Sequence, residues 1–272
     1  MDHAHHALTH QWNTTYVALS YAIATLASYV SLELAARAGR RPTEAGNRFW
    51  LVAQALIIGY GIWAMHFVGM LAFQVPAAVS YNLPLTVVSG LAAVALLYPA
   101  LTILHGGPLT ARRLLAAGGV AGTGIVVMHY LGMYAFRVPG TAVSVNWGPF
   151  LASVLIAVGA SAAALFLFKL VSSEWAEGRS RAVMTGLKIG AGLVMGLAIV
   201  SMHYTGMAAW QHRVVNAGAL GSAASGADTG LLALIIGVIS FLLIGLAVTS
   251  ILMDSGGVRE LGELEFTPEG TD

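Results

Sequence analysis

The sequence predicts an all-α membrane protein of seven transmembrane helices, built as three two-helix parallel repeats plus one extra helix. Three observations predict it. Hydrophobic residues make up 57% of the chain and charged residues 9%, with mean hydropathy +0.78, whereas soluble domains carry roughly a quarter charged residues. Such a chain cannot build a water-facing surface, so its solvent is largely lipid. Seven apolar runs each approach the about 20 residues that cross a bilayer core of about 30 Å. A short motif recurs three times, on every second run.

Taken in order, residues 1–13 form a polar, His-rich tail containing His3, His5, His6 and His10. It lacks the basic start and apolar core of a cleavable signal peptide. Spans are expected at about 14–36, 49–73, 83–104, 114–136, 147–169, 187–210 and 230–253, giving a membrane domain over 14–253. No Asp, Glu, Lys or Arg occurs between Arg48 and Arg112, across two whole spans. Residues 254–272 are a short acidic tail, too small for an output domain, so any signal is expected to pass to another chain. Of the 13 Lys and Arg residues, all but Arg137 and Arg213 fall in the first, third and fifth loops or the C-terminal tail. By the excess of cations on cytoplasmic loops, those regions face the cytoplasm and the N-terminus faces outward. A net charge of +1 without a basic run gives no footprint for nucleic acid. The absence of cysteine excludes disulfides, iron–sulfur clusters and thiolate metal sites.

The second span reads Met65-His66-Phe67-Val68-Gly69-Met70, the fourth Met128-His129-Tyr130-Leu131-Gly132-Met133, and the sixth Met202-His203-Tyr204-Thr205-Gly206-Met207. Alanine and an aromatic residue follow each copy, and Gly59, Gly122 and Gly196 stand seven residues before the histidines. All three copies lie on helices running in one direction, in the outer third of the span. The three histidines therefore share one depth. Residues i and i+4 share a helix face, so His66 with Met70, His129 with Met133, and His203 with Met207 each present an imidazole and a thioether to one point. The glycine at i+3 allows close approach of helices. Met65, Met128 and Met202 point about 100° away, to line a rim or pack on a neighbour.

A histidine facing lipid is costly, so the three imidazoles face the bundle interior, where they need partners. No carboxylate lies at their depth. A metal satisfies three imidazoles without one. Imidazole with thioether favours copper, Cu(I) in particular, three neutral imidazoles also suit zinc, and a bis-histidine haem would leave one histidine unused. The competing reading is a structural layer in which the histidines bond to backbone or tyrosine and the methionines merely pack.

These three motifs resemble the MHYT family of bacterial membrane sensor domains, over about residues 14–253. Phe67 stands where tyrosine is usual, so a hydroxyl there is dispensable or supplied elsewhere. The resemblance implies copper binding at the motifs, sensing of a diatomic gas such as oxygen, carbon monoxide or nitric oxide, and a place in the bacterial inner membrane. Many members carry cyclic-dinucleotide or DNA-binding output domains. This chain resembles the stand-alone members, which implies a separate signalling partner.

Further expectations concern single residues. His3 follows a free amine by two residues, a pattern that wraps Cu(II) in a square plane; with His5 and His6 it forms a candidate metal-capturing arm. Glu33, Gln54 and His105 are expected to snorkel or cap at inner span ends. Trp63, Trp147 and Trp210 are expected as interfacial anchors, and Asn82, Asn146 and Asn216 as caps in the outer loops. Gln74, Arg137, Gln211, His212 and Arg213 belong to a solvated interface around the site. The functional alternatives are copper binding, storage or passage, and an intramembrane metalloenzyme. The last lacks a visible carboxylate base, so the chain is read as a non-enzyme.

Overall fold

In the computed structural model, the structure describes residues 8–38, 44–222 and 226–254. The helices are α1 (Thr14–Ala38), α2 (Glu44–Ala72), α3 (Leu83–His105), α4 (Ala111–Ala135), α5 (Trp147–Val171), the single turn α6 (Glu174–Glu177), α7 (Arg181–Ala209) and α8 (Thr229–Asp254). Among the described residues, α1 to α5 and α7 are long and apolar enough to cross a membrane. Their ends match the expected spans to within a few residues, except that α7 starts earlier, at a cap where Ser180 Oγ accepts from the Val183 N–H. The expected seventh span coincides with α8, but its qualifying apolar stretch among the described residues is the shorter Thr229–Leu242.

Among the described residues, six short strands, none of them expected, close one end of the bundle. They pair in antiparallel ribbons: β1 (Gln11–Trp12) with β2 (Phe73–Gln74), β3 (Ser80–Tyr81) with β4 (Phe136–Arg137), and β5 (Thr141–Val145) with β6 (Trp210–Val214). In each ribbon the strand leading into an odd helix pairs with the strand leaving its motif helix. The repeat is therefore a helical hairpin sealed at its open end. An asparagine follows the first strand of each. Asn13, Asn82 and Asn146 donate their backbone N–H to the carbonyls of Ala72, Ala135 and Ala209, the last residues of the motif helices, at 2.9, 2.9 and 2.8 Å. Their side-chain oxygens accept from Thr15, Leu85 and Gly148 at the helix starts. Each asparagine thus answers orphan groups of two helix ends. Asn216 also caps, on the short 3-10 turn Ala217–Ala219. The third member of the repeat is Asn13, however, not Asn216.

The units are α1–α2, α3–α4 and α5–α7, and they close into a ring through α2 against α3, α4 against α5 and α7 against α1. The glycines seven residues before the histidines make these joints. A Cβ on Gly59 would stand 2.9 Å from Val94 Cγ2, one on Gly122 would stand 2.7 Å from Val158 Cα, and one on Gly196 would meet Thr25. Val94, Val158 and Thr25 are each twelve residues past the asparagine of their unit, so one contact is repeated three times around the ring. α8 lies outside the ring, against α2 and α1.

At the end of the bundle away from the strands, Glu33 does not snorkel as expected. It accepts from Lys188 Nζ on α7 at 2.9 Å and from Arg37 at 3.2 Å, and all three side chains are largely enclosed. This ion pair ties the first unit to the third. Gln54 is fully buried and, among the described residues, neither side-chain polar atom has a partner.

Candidate metal centre

Each motif histidine stands six residues before the end of its helix, at 66 of 72, 129 of 135 and 203 of 209. Equal distance from the sealed end puts the three at one level, and the threefold ring turns them toward the axis. All three are buried. Their Nδ1 atoms converge: His66 to His129 is 3.1 Å, His66 to His203 is 3.1 Å and His129 to His203 is 3.4 Å. Among the described residues these three are the one cluster of histidine or carboxylate ligands close enough to share an ion.

The far side of each ring shows why the motif carries a glycine. A Cβ on Gly132 would collide with Nε2 of His66, one on Gly206 with Nε2 of His129, and one on Gly69 with Nε2 of His203. Each imidazole therefore seats against the motif glycine of the next unit, in one rotational sense. A Cβ would push the ring off the axis.

The tyrosines after His129 and His203 are fixed in the same sense. Tyr130 OH lies 2.7 Å from Ser153 Oγ and Tyr204 OH lies 3.2 Å from Ser20 Oγ. Ser20, Ser89 and Ser153 each stand seven residues after the asparagine of their unit, and each donates to the backbone carbonyl three residues earlier at 2.7 Å. Their hydrogens are thus committed and their oxygens accept. Phe67, at the equivalent position of the first unit, has no hydroxyl to offer. Trp63 supplies the missing donor, its Nε1 reaching Ser89 Oγ at 3.2 Å and Thr86 O at 2.9 Å. Trp63 is 2% exposed, so it is a buried joint and not the interfacial anchor expected from sequence; Trp147, 67% exposed, fits that expectation. The tyrosines are spent on serines and leave the histidines without tyrosine partners.

Met70, Met133 and Met207 are buried one turn nearer the strands, Met70 on the wall of a groove at that end. Met65, Met128 and Met202 are buried as well and pack between helices. His3, His5 and His6 lie outside the described residues. The chain just after them is anchored, with the Leu8 N–H donating to the His212 carbonyl at 3.0 Å.

His212, expected in a solvated interface, is 7% exposed. Burial pulls its pKa down to about 4. Thr141 Oγ1 gives its hydrogen to Val138 O at 2.8 Å and so accepts from His212 Nδ1 at 3.2 Å, which leaves the lone pair on Nε2. Arg137 and Gln74 are exposed in the strands, as expected. Asn13 and the three serines join Asn82 and Asn146 in this repeat: Asn-x6-Ser recurs at 13, 82 and 146 and marks the start of each unit.

The geometry of the three nitrogens fits a cation. A neutral imidazole has one N–H. A triangle of Nδ1 atoms with edges of 3.1 to 3.4 Å has room for one hydrogen at its centre, so at least two lone pairs face each other there. A cation removes that conflict. The point equidistant from the three nitrogens is about 1.9 Å from each, near the about 2.0 Å of a metal–imidazole bond.

Residues 59–117 and 122–180 match the model of the MHYT family, described as a bacterial signalling protein N terminal repeat. The third motif, around His203, lies beyond the matched residues. The chain is 41% identical over 91% of its length to the bifunctional diguanylate cyclase/cyclic di-GMP phosphodiesterase MucR of Pseudomonas aeruginosa, covering 35% of that protein. It is 39% identical over 72% of its length to the cyclic di-GMP phosphodiesterase NbdA of the same species, covering 25% of it. To the signaling protein YkoW of Bacillus subtilis it is 37% identical over 73% of its length, covering 24%. The chain thus spans about a third or less of these relatives. No solved structure matches it. The motifs, the six apolar helices and these relatives agree, and the chain belongs to the MHYT family of membrane signalling proteins.

Proposed function

We propose that the chain is a metal-dependent sensor domain of the bacterial inner membrane, with His66, His129 and His203 as the ligands of one ion. The convergence of three Nδ1 atoms within 3.1 to 3.4 Å carries this reading. Copper is the preferred metal. Three neutral nitrogens in a trigonal set suit Cu(I), and the layer of Met70, Met133 and Met207 offers soft sulfur one turn away while keeping water out. Zinc accepts the same nitrogens. Haem is disfavoured, because the nitrogens stand too close for a porphyrin to pass between them. Three ligands leave a coordination position for a small ligand, in keeping with a diatomic gas. Among the described residues no carboxylate joins the cluster, which speaks against a hydrolytic role.

In this reading α8 is a seventh crossing, the strand-sealed end faces outward with the N-terminus, and the cation-rich loops face the cytoplasm. Ligand binding would favour one packing of the three units over another. A cytoplasmic module acting on cyclic di-GMP, of the kind named in the relatives, would read the change. A second reading, copper capture and handling, is favoured by the Leu8–His212 bond, which ties the chain beside His3, His5 and His6 to the sealed end.

The test is metal content by mass spectrometry of the detergent-purified protein after copper loading, beside His66→Ala, His129→Ala and His203→Ala. One copper per chain in the wild type, lost in every single variant, is expected. Retention in any one variant, or no metal in the wild type, overturns the shared site.

A further inference from the structure

One turn below the histidines, at four residues earlier in each motif helix, stand Ile62, Ile125 and Ile199. All three line an interior cavity of about 90 Å³ that runs out between α5 and α7. At its mouth Val194 is 67% exposed and Ala163 is also exposed, on the surface that meets lipid. Ser161 is the one polar side chain in its wall. A buried water needs two to four polar partners, so this cavity is dry.

The repeat explains why the cavity lies in the third unit. Five residues before the histidines stand Gly61, Gly124 and Ala198. In the first unit a Cβ on Gly61 would collide with Ala27, and in the second a Cβ on Gly124 would stand 2.7 Å from Leu96 Cβ. Those hairpins are closed by a glycine. Ala27, Leu96 and Ala160 are equivalent, each fourteen residues past the asparagine of its unit. In the third unit Ala198 and Ala160 carry methyl groups at this crossing, and both line the cavity. One methyl group in place of hydrogen holds α5 and α7 apart.

We propose that this cavity is a binding site for a small apolar molecule of two or three heavy atoms, drawn from the bilayer and held beneath the histidine triad. Its volume suits such a molecule, its walls offer water a single hydroxyl, its mouth opens to hydrocarbon and its inner end is the isoleucine layer under the nitrogens. The link to the triad rests on the metal reading above; the binding site itself does not. An apolar cavity of comparable kind takes up xenon.

Xenon is therefore the probe, applied under pressure to crystals of the full chain with and without copper loading. Xenon is expected in the wild-type cavity in both states and absent from Ala198→Leu. Ala198→Gly, a milder change that lets the helices close, is expected to lower occupancy while keeping the fold. Absence of xenon in the wild type, or an acyl chain occupying the cavity, overturns the proposal. With copper bound, the association rate of carbon monoxide is expected to fall severalfold in Ala198→Leu at unchanged copper content, and an unchanged rate overturns delivery to the triad. Failure of copper to bind at all overturns the metal reading and leaves the xenon result to decide the cavity.

Discussion

Gly132→Ala is the sharpest perturbation of the site that leaves every ligand in place. The added Cβ would stand 2.8 Å from Cδ2 and 3.2 Å from Cε1 of His66, with Nε2 closer still. Carbon atoms rest at about 3.5–4.0 Å, so the ring, or α4 as a whole, must move by about 1 Å. A metal site tolerates about 0.2 Å in its bond lengths. Copper affinity should fall by at least the roughly 10- to 100-fold seen when support behind a metal-bound histidine is lost. The control is Gly119→Ala on the same helix. A Cβ there meets nothing within 4 Å, and alanine is favoured over glycine in a helix by about 0.5–1 kcal/mol, so that variant should bind copper normally with equal or higher stability. The assay is copper titration against a competing chelator, with thermal unfolding alongside. Wild-type affinity in Gly132→Ala would refute the head-to-tail seating of the histidines.

Three further outcomes follow from the same geometry. Trp63→Phe removes two buried hydrogen bonds to Thr86 and Ser89 and should cost about 1–2 kcal/mol in thermal unfolding; adding Phe67→Tyr should recover part of it by restoring the joint used in the other units, and a double variant no more stable than the single would refute that equivalence. Lys188→Met leaves Glu33 with Arg37 and the Tyr29 hydroxyl and should destabilise by about 2 kcal/mol, less than the full cost for a deeply buried pair, while Glu33→Gln with Lys188→Met should regain most of the loss in the same assay. His212 has its pKa lowered to about 4 in the fold, so its contribution is intact above about 6.5 and is lost as pH falls from there through about 4, amounting to about 3 kcal/mol; His212→Gln should flatten unfolding curves across that window, and an undiminished acid sensitivity would count against burial of a neutral imidazole.

The motif helices were legible because their pattern is chemically loud. Methionine, histidine and glycine are rare in combination, and their fixed distance from the helix end transmits directly into a common level. The odd helices were not legible as repeats. Asparagine to histidine spans 53, 47 and 57 residues in the three units, because the turns at the far end differ in length, so an alignment anchored on the histidines loses the asparagines. The same slippage led to Asn216 being grouped with Asn82 and Asn146. The ribbons were invisible for a different reason. Two-residue strands carry no period, and their cause is the meeting of two chain ends. Trp63 was misplaced because a tryptophan near a span end reads as an anchor until the serine it serves is known to lie on a neighbouring unit.

The head-to-tail order also couples the triad to the packing of the three units. Each imidazole is carried by one unit and seated on the next, and a nearby aromatic, Tyr130, Tyr204 or in the first unit Trp63, is tied to an odd helix of that next unit. A shift of any one unit therefore changes two of the three Nδ1 separations. Conversely, a ligand that tightens or loosens the triad acts on all three joints together. Those joints continue down the helices through Gly59, Gly122 and Gly196, and on the side of the first and third units they end at Glu33 and Lys188. A threefold ring of close glycine contacts is stiff against gradual deformation, because helices already touching can slide or part but cannot compress. Within the hairpins, the unit without a close glycine contact is the third, where Ala198 and Ala160 line a cavity. Any second packing of the ring is cheapest at that crossing, where a void already stands in place of a contact.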